Sequence, residues 1–194
     1  MKHEAIKFNT KKQLSLSLKR LLEKKSFSKI TISELASECG LNRKTFYYHF
    51  ADIQQLLEWT LRQEAVEIST DYGRLNNFTD AVNFTVDYIF DNMQFLKNAY
   101  NTVGKAELTK LFYDHFCEMI KMSVSMHEKE HSITVSEHFS GFLCHFYGQA
   151  LIGLVLEVLH SETFTDKKTI SDYILLTLSV SIPEVLKAAD SRDM

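Results

Sequence analysis

Helix breakers are scarce in this chain: 194 residues include one proline and six glycines. A many-stranded β fold needs frequent turns, and turns draw on those residues, so their scarcity argues for helices. Cysteine is equally sparse. Cys39, Cys117 and Cys144 are odd in number and lack C-x-x-C spacing, which argues against a disulfide frame and for reduced cytosolic thiols. The longest uninterrupted apolar run, Ala150–Leu156, falls far short of the roughly 18 residues a membrane span needs. The opening stretch MKHEAIKFNTKKQ has no apolar h-region, so no secretory signal is read. A cytoplasmic protein with no membrane partner is the expectation.

What is present is enough apolar material for a core, unevenly charged. Hydrophobic residues make up 45% and charged residues 24%, a balance that disfavours disorder. The net charge of −3 conceals an asymmetry. Residues 1–50 hold eleven Lys/Arg (Lys2, Lys7, Lys11, Lys12, Lys19, Arg20, Lys24, Lys25, Lys29, Arg43, Lys44) against four acids. The remainder holds 11 basic and 21 acidic residues. A basic head on an acidic body suits a polyanion bound by the head, although a charge run is also what a solvated face looks like.

Nearly every segment reads with helical period. Leu14, Leu18, Leu21 and Leu22 mark a first helix over roughly 8–25, and Ile32, Leu35, Ala36 and Cys39 a short second one. Phe46 and Phe50 share one face of a third; Ile53, Leu56, Leu57, Thr60 and Leu61 open a fourth that runs to about Tyr72. The GRLNN stretch, Gly73 to Asn77, is the clearest break and sets the boundary between a head (residues 1–70) and a body (74–194). In the body the period predicts helices near 79–98, 105–127, 134–160 and 167–189, with Pro183 expected to kink or restart the last.

The chemistry concentrates between Thr31 and Phe50. Thr31 and Glu34 form a capping box: the hydroxyl accepts from the Glu34 N–H while the carboxylate reaches back. Gly40 suits the left-handed position that ends a helix, and Asn42 is a strong cap for the next one. Two short helices joined by a glycine-containing turn make a helix-turn-helix. Its second helix turns Phe46 and Phe50 inward and presents Arg43, Lys44, Thr45, Tyr47, Tyr48 and His49 outward. Arg43 and Lys44 stand at the N-terminal end, which enters a DNA major groove first. Arginine reads guanine O6/N7 in a bidentate contact, and Lys44 can serve the same edge or a phosphate. Hydroxyls and imidazole suit phosphate oxygens, which set register. The alternative is an ordinary surface helix.

This stretch resembles the DNA-binding domain of the TetR family of bacterial regulators. The family pattern is a threonine before the second helix, a Gly-apolar-Ser/Asn turn, then T-[LF]-Y-x-[HY]-F. Here these are Thr31, Gly40-Leu41-Asn42 and Thr45-Phe46-Tyr47-Tyr48-His49-Phe50. The longer string CGLNRKTFYYHF…DI…LLEW is similar to a branch that includes an operon activator. The likeness is specific over about residues 8–65 and rests beyond residue 70 on helix content and length alone. It implies an all-α fold: an N-terminal three-helix DNA-binding domain joined by a long helix to an α-helical ligand-binding and dimerisation domain. It implies Tyr47 and His49 at phosphates, and Arg43, Lys44 and Tyr48 at bases. The phosphate-binding lysine that the family often places at the start of the fourth helix is Ile53 here, after Asp52 as the expected cap. Lys29, or an N-terminal arm through Lys11 and Lys12, is the expected compensation.

The resemblance further implies a homodimer paired through the last two long helices, binding a pseudo-palindromic double-stranded operator, with a small-molecule effector in the body and no required cofactor. Gly141, Gly148, Ala150 and Gly153 put small residues on a long apolar helix, as a close-packed seam needs; a local ligand cavity is the rival reading. Tyr88, Phe112, His115, Phe116, Phe142, His145, Phe146 and Tyr147 are the candidate pocket residues, and core packing is the plain alternative for each. His127-Glu128-Lys129-Glu130-His131 matches H-E-x-x-H, the pattern of zinc hydrolases, although it is placed at a helix end or loop among charges. His127, His131 and His138 are the candidates for a metal-responsive regulator.

Overall fold

Regular helices account for most of the described residues because little interrupts them. The computed structural model describes residues 2–72, 75, 77–160 and 166–190, and among these there is no strand. The helices are α1 (Lys2–Lys24), α2 (Ile32–Glu38), α3 (Arg43–His49), α4 (Ile53–Tyr72), α5 (Phe78–Asp91), α6 (Met93–Val103), α7 (Lys105–His131), α8 (Glu137–His160) and α9 (Lys167–Asp190). A 3₁₀ turn, Phe27–Lys29, joins α1 to α2. Of the GRLNN break, Gly73, Arg74 and Asn76 lie outside the described residues.

The contacts divide the chain into two units. The first runs to Val66 and includes Asn92–Leu111; the second comprises Glu67–Asp91 and the chain from Phe112 onward. In the first, α1 packs on α2, α3 and α6. The periodic leucines Leu14, Leu18, Leu21 and Leu22 are all buried, together with Leu35, Phe46, Phe50, Leu56, Leu57, Phe95 and Leu96. Each such side chain contributes about 1.5–3 kcal/mol of transfer free energy. The buried Asn98 donates its amide to the Leu22 carbonyl at 2.8 Å, one of the carbonyls that the end of α1 leaves without a helical partner.

In the second unit α5 lies along α9. Its apolar face, Phe78, Ala81, Val82, Val86 and Ile89, is buried, and Lys167 pairs with Asp87 at 2.6 Å on the outer side. The helix α9 continues without a break through Pro183, so the expected restart there does not occur. By length and composition α8 and α9 are apolar enough to cross a membrane. In this fold α8 buries Leu143, Leu151, Ile152, Val155 and Leu159 against neighbouring helices.

One predicted helix is two. The pattern over 79–98 breaks at Asn92, where the backbone leaves helical geometry (φ −111°, ψ 19°). The reason is a change of core. The apolar residues of α5 fill the second unit, whereas Phe95, Leu96 and Ala99 of α6 fill the first. The first helix also starts at Lys2 rather than near residue 8, so the N-terminal arm that carries Lys11 and Lys12 is helical.

His115 is buried with its ring against Thr85. The Thr85 hydroxyl donates its single hydrogen to the Ala81 carbonyl at 2.8 Å. It must therefore accept from His115 Nε2, 2.6 Å away, which fixes the imidazole tautomer. Burial disfavours the charged ring and pushes its pKa down to about 4. The unfolded ring takes up a proton near its ordinary value, so stability is complete above about pH 6.5 and declines as pH falls toward 4. The loss should be on the order of 3 kcal/mol. Thermal unfolding of His115→Asn between pH 4 and 7 should show a visibly flatter acid limb than the parent; parallel curves would mean that His115 does not control it.

Candidate nucleic-acid interface

Local hydrogen bonds build the turn that presents α3. Thr31, extended at φ −115° and ψ 150°, accepts from the Glu34 N–H. Lys25 binds the Glu34 carboxylate at 2.5 Å. That bond first, with the lysine's charge and the Thr31 N–H behind it, holds this carboxyl below its usual range. At the other end of α2, Gly40 sits at φ +65°. Its N–H bonds the Ser37 carbonyl at 3.0 Å and the Leu41 N–H bonds the Ala36 carbonyl at 2.8 Å, the paired closure of a Schellman turn. Asn42 then caps α3, its Oδ1 accepting from the Thr45 N–H at 2.9 Å and from the Thr45 hydroxyl at 3.2 Å. Asp52 caps α4 through the Gln55 N–H at 2.8 Å.

With those caps set, α3 has two unlike faces. Phe46 and Phe50 are buried, and Tyr47 and Tyr48 stand 51% and 62% exposed. Arg43 and Lys44 are exposed in its first turn, as are Thr31 and Lys29 at the edge of α2. Thr45 is half-buried and spends its hydroxyl hydrogen on Asn42, so it can offer a phosphate that donor only by leaving the cap. His49 is half-buried too. Desolvation, then the nearby Lys11 and Lys7, lower its pKa, so at neutral pH it brings a neutral imidazole.

Two cations lie beside this surface: Lys11, expected there as part of the N-terminal arm, and Lys7, which the sequence reading did not assign. Lys7 stands over the Tyr48 ring at 5.1 Å. Lys11 stands over Phe50 at 5.3 Å and over Trp59 at 5.8 Å. Both come from α1, and only their spacing of four on a helix hinted at a shared face.

The candidates in the body scatter. A small apolar cavity of about 30 Å³ is lined by Val82, Ile89, Phe116, Met119, Leu151 and Val155 among others. Of the expected pocket residues Phe116 alone borders it. Phe112, His115 and Tyr147 are buried, and Tyr88 is half-buried with its ring edge-on to Phe112 at 6.2 Å. Phe142, His145 and Phe146 are exposed, because they occupy the outward stripe of α8, and His145 there accepts or donates to Tyr113 at 3.1 Å. The HEKEH segment is the last helical stretch of α7, not a loop. It clusters His127, Glu130 and His131; His138, exposed in the first turn of α8, lies outside that cluster.

A capped helix-turn-helix with an exposed basic and aromatic second helix defines a DNA-binding transcriptional regulator. The family model for bacterial regulatory proteins of the tetR family matches residues 17–59, and a model for a transcriptional regulator C-terminal region matches 76–179. The chain belongs to the TetR family of transcriptional regulators. It is similar to the HTH-type dhaKLM operon transcriptional activator DhaS of Lactococcus lactis subsp. lactis (strain IL1403), at 19% identity over 148 residues, 76% of this chain and 78% of the relative. It also resembles the uncharacterized HTH-type transcriptional regulator YerO of Bacillus subtilis (strain 168). That match is 50% identical over 38 residues, 20% of this chain and 13% of the relative. The solved structure of a dihydroxyacetone kinase operon activator DhaS shares the fold, with a TM-score of 0.71 at 17% identity, over 93% of this chain and 98% of that one.

Asn42 carries both bonds that start α3. Asn42→Ala should lower the stability of the protein by about 1 kcal/mol, and Asn42→Asp should restore most of it. Denaturant unfolding measures both; an unchanged midpoint in the alanine variant would show that α3 does not need this cap.

Proposed function

We propose that the protein is a cytoplasmic, homodimeric, sequence-specific DNA-binding regulator whose operator affinity is set by a small effector bound in its body. The observation that carries the DNA part is the outward face of α3, with Arg43 and Lys44 exposed at its N-terminal end and Tyr47 and Tyr48 beyond them. Arg43 and Lys44 read base edges, with Tyr48 beside them. Tyr47, His49, Thr31 and Lys29 take phosphates and fix register. Residues 1–70 act as the head and 74–194 as the body.

Dimerisation is supported by the surface of the last two helices. Phe142 and Phe146 on α8 and Tyr173, Leu176 and Val180 on α9 are each more than half exposed. Ala150 and Gly153 continue the α8 stripe, and a Cβ at Gly153 would meet nothing within 4 Å. The Tyr147 hydroxyl donates to Ser181 at 3.0 Å, which ties the two helices side by side. A continuous apolar surface of this kind on two long helices is what a second copy would bury. Gly148 is different: its missing Cβ would meet Cys117 and Tyr113, so it serves packing within the subunit.

The effector reading rests on the apolar cavity around Phe116 and Met119. At about 30 Å³ it has room for little more than a water, so an effector there must be apolar and must open the site. Such opening regulates DNA binding when the effector has different affinity for the two arrangements. The helices α4 and α7 each belong to both units, which makes them the natural carriers of that change.

Selection from random DNA should yield a pseudo-palindrome. On it, Arg43→Ala should lose about 1–3 kcal/mol and relax preference at one base position, whereas Tyr47→Phe should weaken specific and random DNA alike. Equal loss of Arg43→Ala on both DNAs contradicts base reading, and affinity independent of salt would sink the DNA reading altogether. For the dimer, sedimentation of Phe146→Glu/Leu176→Glu should show monomers at concentrations where the parent is dimeric, with operator affinity reduced at least tenfold. A variant that sediments as the parent does would place the interface elsewhere.

A further inference from the structure

The last turn of α7 carries a cluster that DNA binding does not use. His127, Glu130 and His131 stand at i, i+3 and i+4, which puts them on one helical face. The two imidazole rings are parallel to within 4°, with centroids 6.0 Å apart. One donor atom from each of the three residues lies within 4.8 Å of the others. His127 is 9% exposed, and its Nδ1 is buried with no hydrogen-bond partner. The Glu130 carboxylate lies 3.6 Å from it, too far for a hydrogen bond. In a tetrahedral zinc site, bond lengths of about 2.0–2.2 Å to nitrogen and oxygen separate neighbouring ligands by about 3.4 Å. The His127–Glu130 distance is therefore wrong for a hydrogen bond and close to right for two ligands of one ion.

We propose that His127, Glu130 and His131 bind a late first-row divalent cation, Zn²⁺ first among them, at the C-terminal end of α7. Two imidazoles and a carboxylate match that class of ion, whereas Mg²⁺ and Ca²⁺ prefer all-oxygen shells. Glu130 and His131 are exposed, which leaves the remaining coordination position to water. The neighbouring acid does not compete. The Glu128 carboxylate accepts from the Val135 N–H at 3.1 Å, and the Glu128 carbonyl accepts from the Ile133 N–H at 3.1 Å. Glu128 thus holds the connection to α8 and leaves the histidine face to Glu130. The site stands independently of the effector and dimer readings.

The test is calorimetric titration of tag-free, chelator-treated full-length protein with ZnCl₂, with MgCl₂ as the hard-ion control. One Zn²⁺ per chain should bind, Mg²⁺ should not, and the melting temperature should rise with Zn²⁺. His131→Ala and Glu130→Gln alter exposed side chains, so both should fold as the parent does in chelator. Each should weaken Zn²⁺ binding at least tenfold and lose the thermal shift, whereas His138→Ala should keep both. Absence of Zn²⁺ binding, or parental affinity in His131→Ala and Glu130→Gln, would overturn the proposal; loss of binding in His138→Ala would overturn the ligand assignment.

Discussion

The head depends on one nearly buried ion pair. Lys19 of α1 meets Glu64 of α4 at 2.8 Å, with side-chain exposures of 18% and 10%. The same ammonium lies 5.1 Å from the centre of the Phe95 ring on α6. Three helices distant in sequence are thereby fixed at a single charge. Such a pair adds little when complete, because desolvation offsets the attraction, but removing one partner strands the other at a cost of about 3–5 kcal/mol. Its value is positional. It sets α4 and α6 against α1, and α1 is the helix on which α2 and α3 pack. The Asn98 bond to the Leu22 carbonyl adds a second tie between α6 and α1, so the recognition helix rests on a base that α6 helps to define.

That dependence explains what the sequence discloses and what it hides. Caps are legible because their partners sit three or four residues apart. Thr31 with Glu34, Gly40 after α2, Asn42 with Thr45 and Asp52 with Gln55 all form as their spacing requires. The buried stripe Leu14, Leu18, Leu21, Leu22 is legible for the same reason. The Lys19–Glu64 pair spans 45 positions, and no local pattern marks which lysine meets which glutamate. The break at Asn92 is hidden because the residues on either side keep a helical period while filling different cores. On α8 apolar side chains surround the whole helix, so periodicity does not tell the buried Tyr147 from the exposed Phe142 and Phe146.

The same limit applied to the charge around α3. Ile53 leaves the start of α4 without a lysine, and spacing alone does not rank Lys29, Lys11 and Lys12 as replacements. In the fold, Lys7 and Lys11 reach across from α1 to the Tyr48, Phe50 and Trp59 rings. Phe8 adds an edge-to-face contact with Trp59 at 6.0 Å. The aromatic faces attract the ammonium groups and the lysine stems cover the rings, so packing holds positive charge beside α3. His49 records part of the result: burial first, and then those two lysines, make its ring resist protonation.

The HEKEH segment shows how position within one helical turn assigns chemistry. A hydrolase of the H-E-x-x-H type needs the glutamate after the first histidine to stand beside a metal-bound water. Glu128 instead turns to the connection after α7, where it holds the Val135 N–H while Ser132 adopts φ 54°. A carboxylate committed to a backbone donor beyond the helix end is not available as a base on the face of His127 and His131. Glu130 is three residues from His127, as His131 is four, so its carboxylate falls within reach of both imidazoles. The two acids of one pentapeptide thus have separate duties: one closes the helix, and the other joins two imidazoles to which the regulator's DNA surface makes no claim.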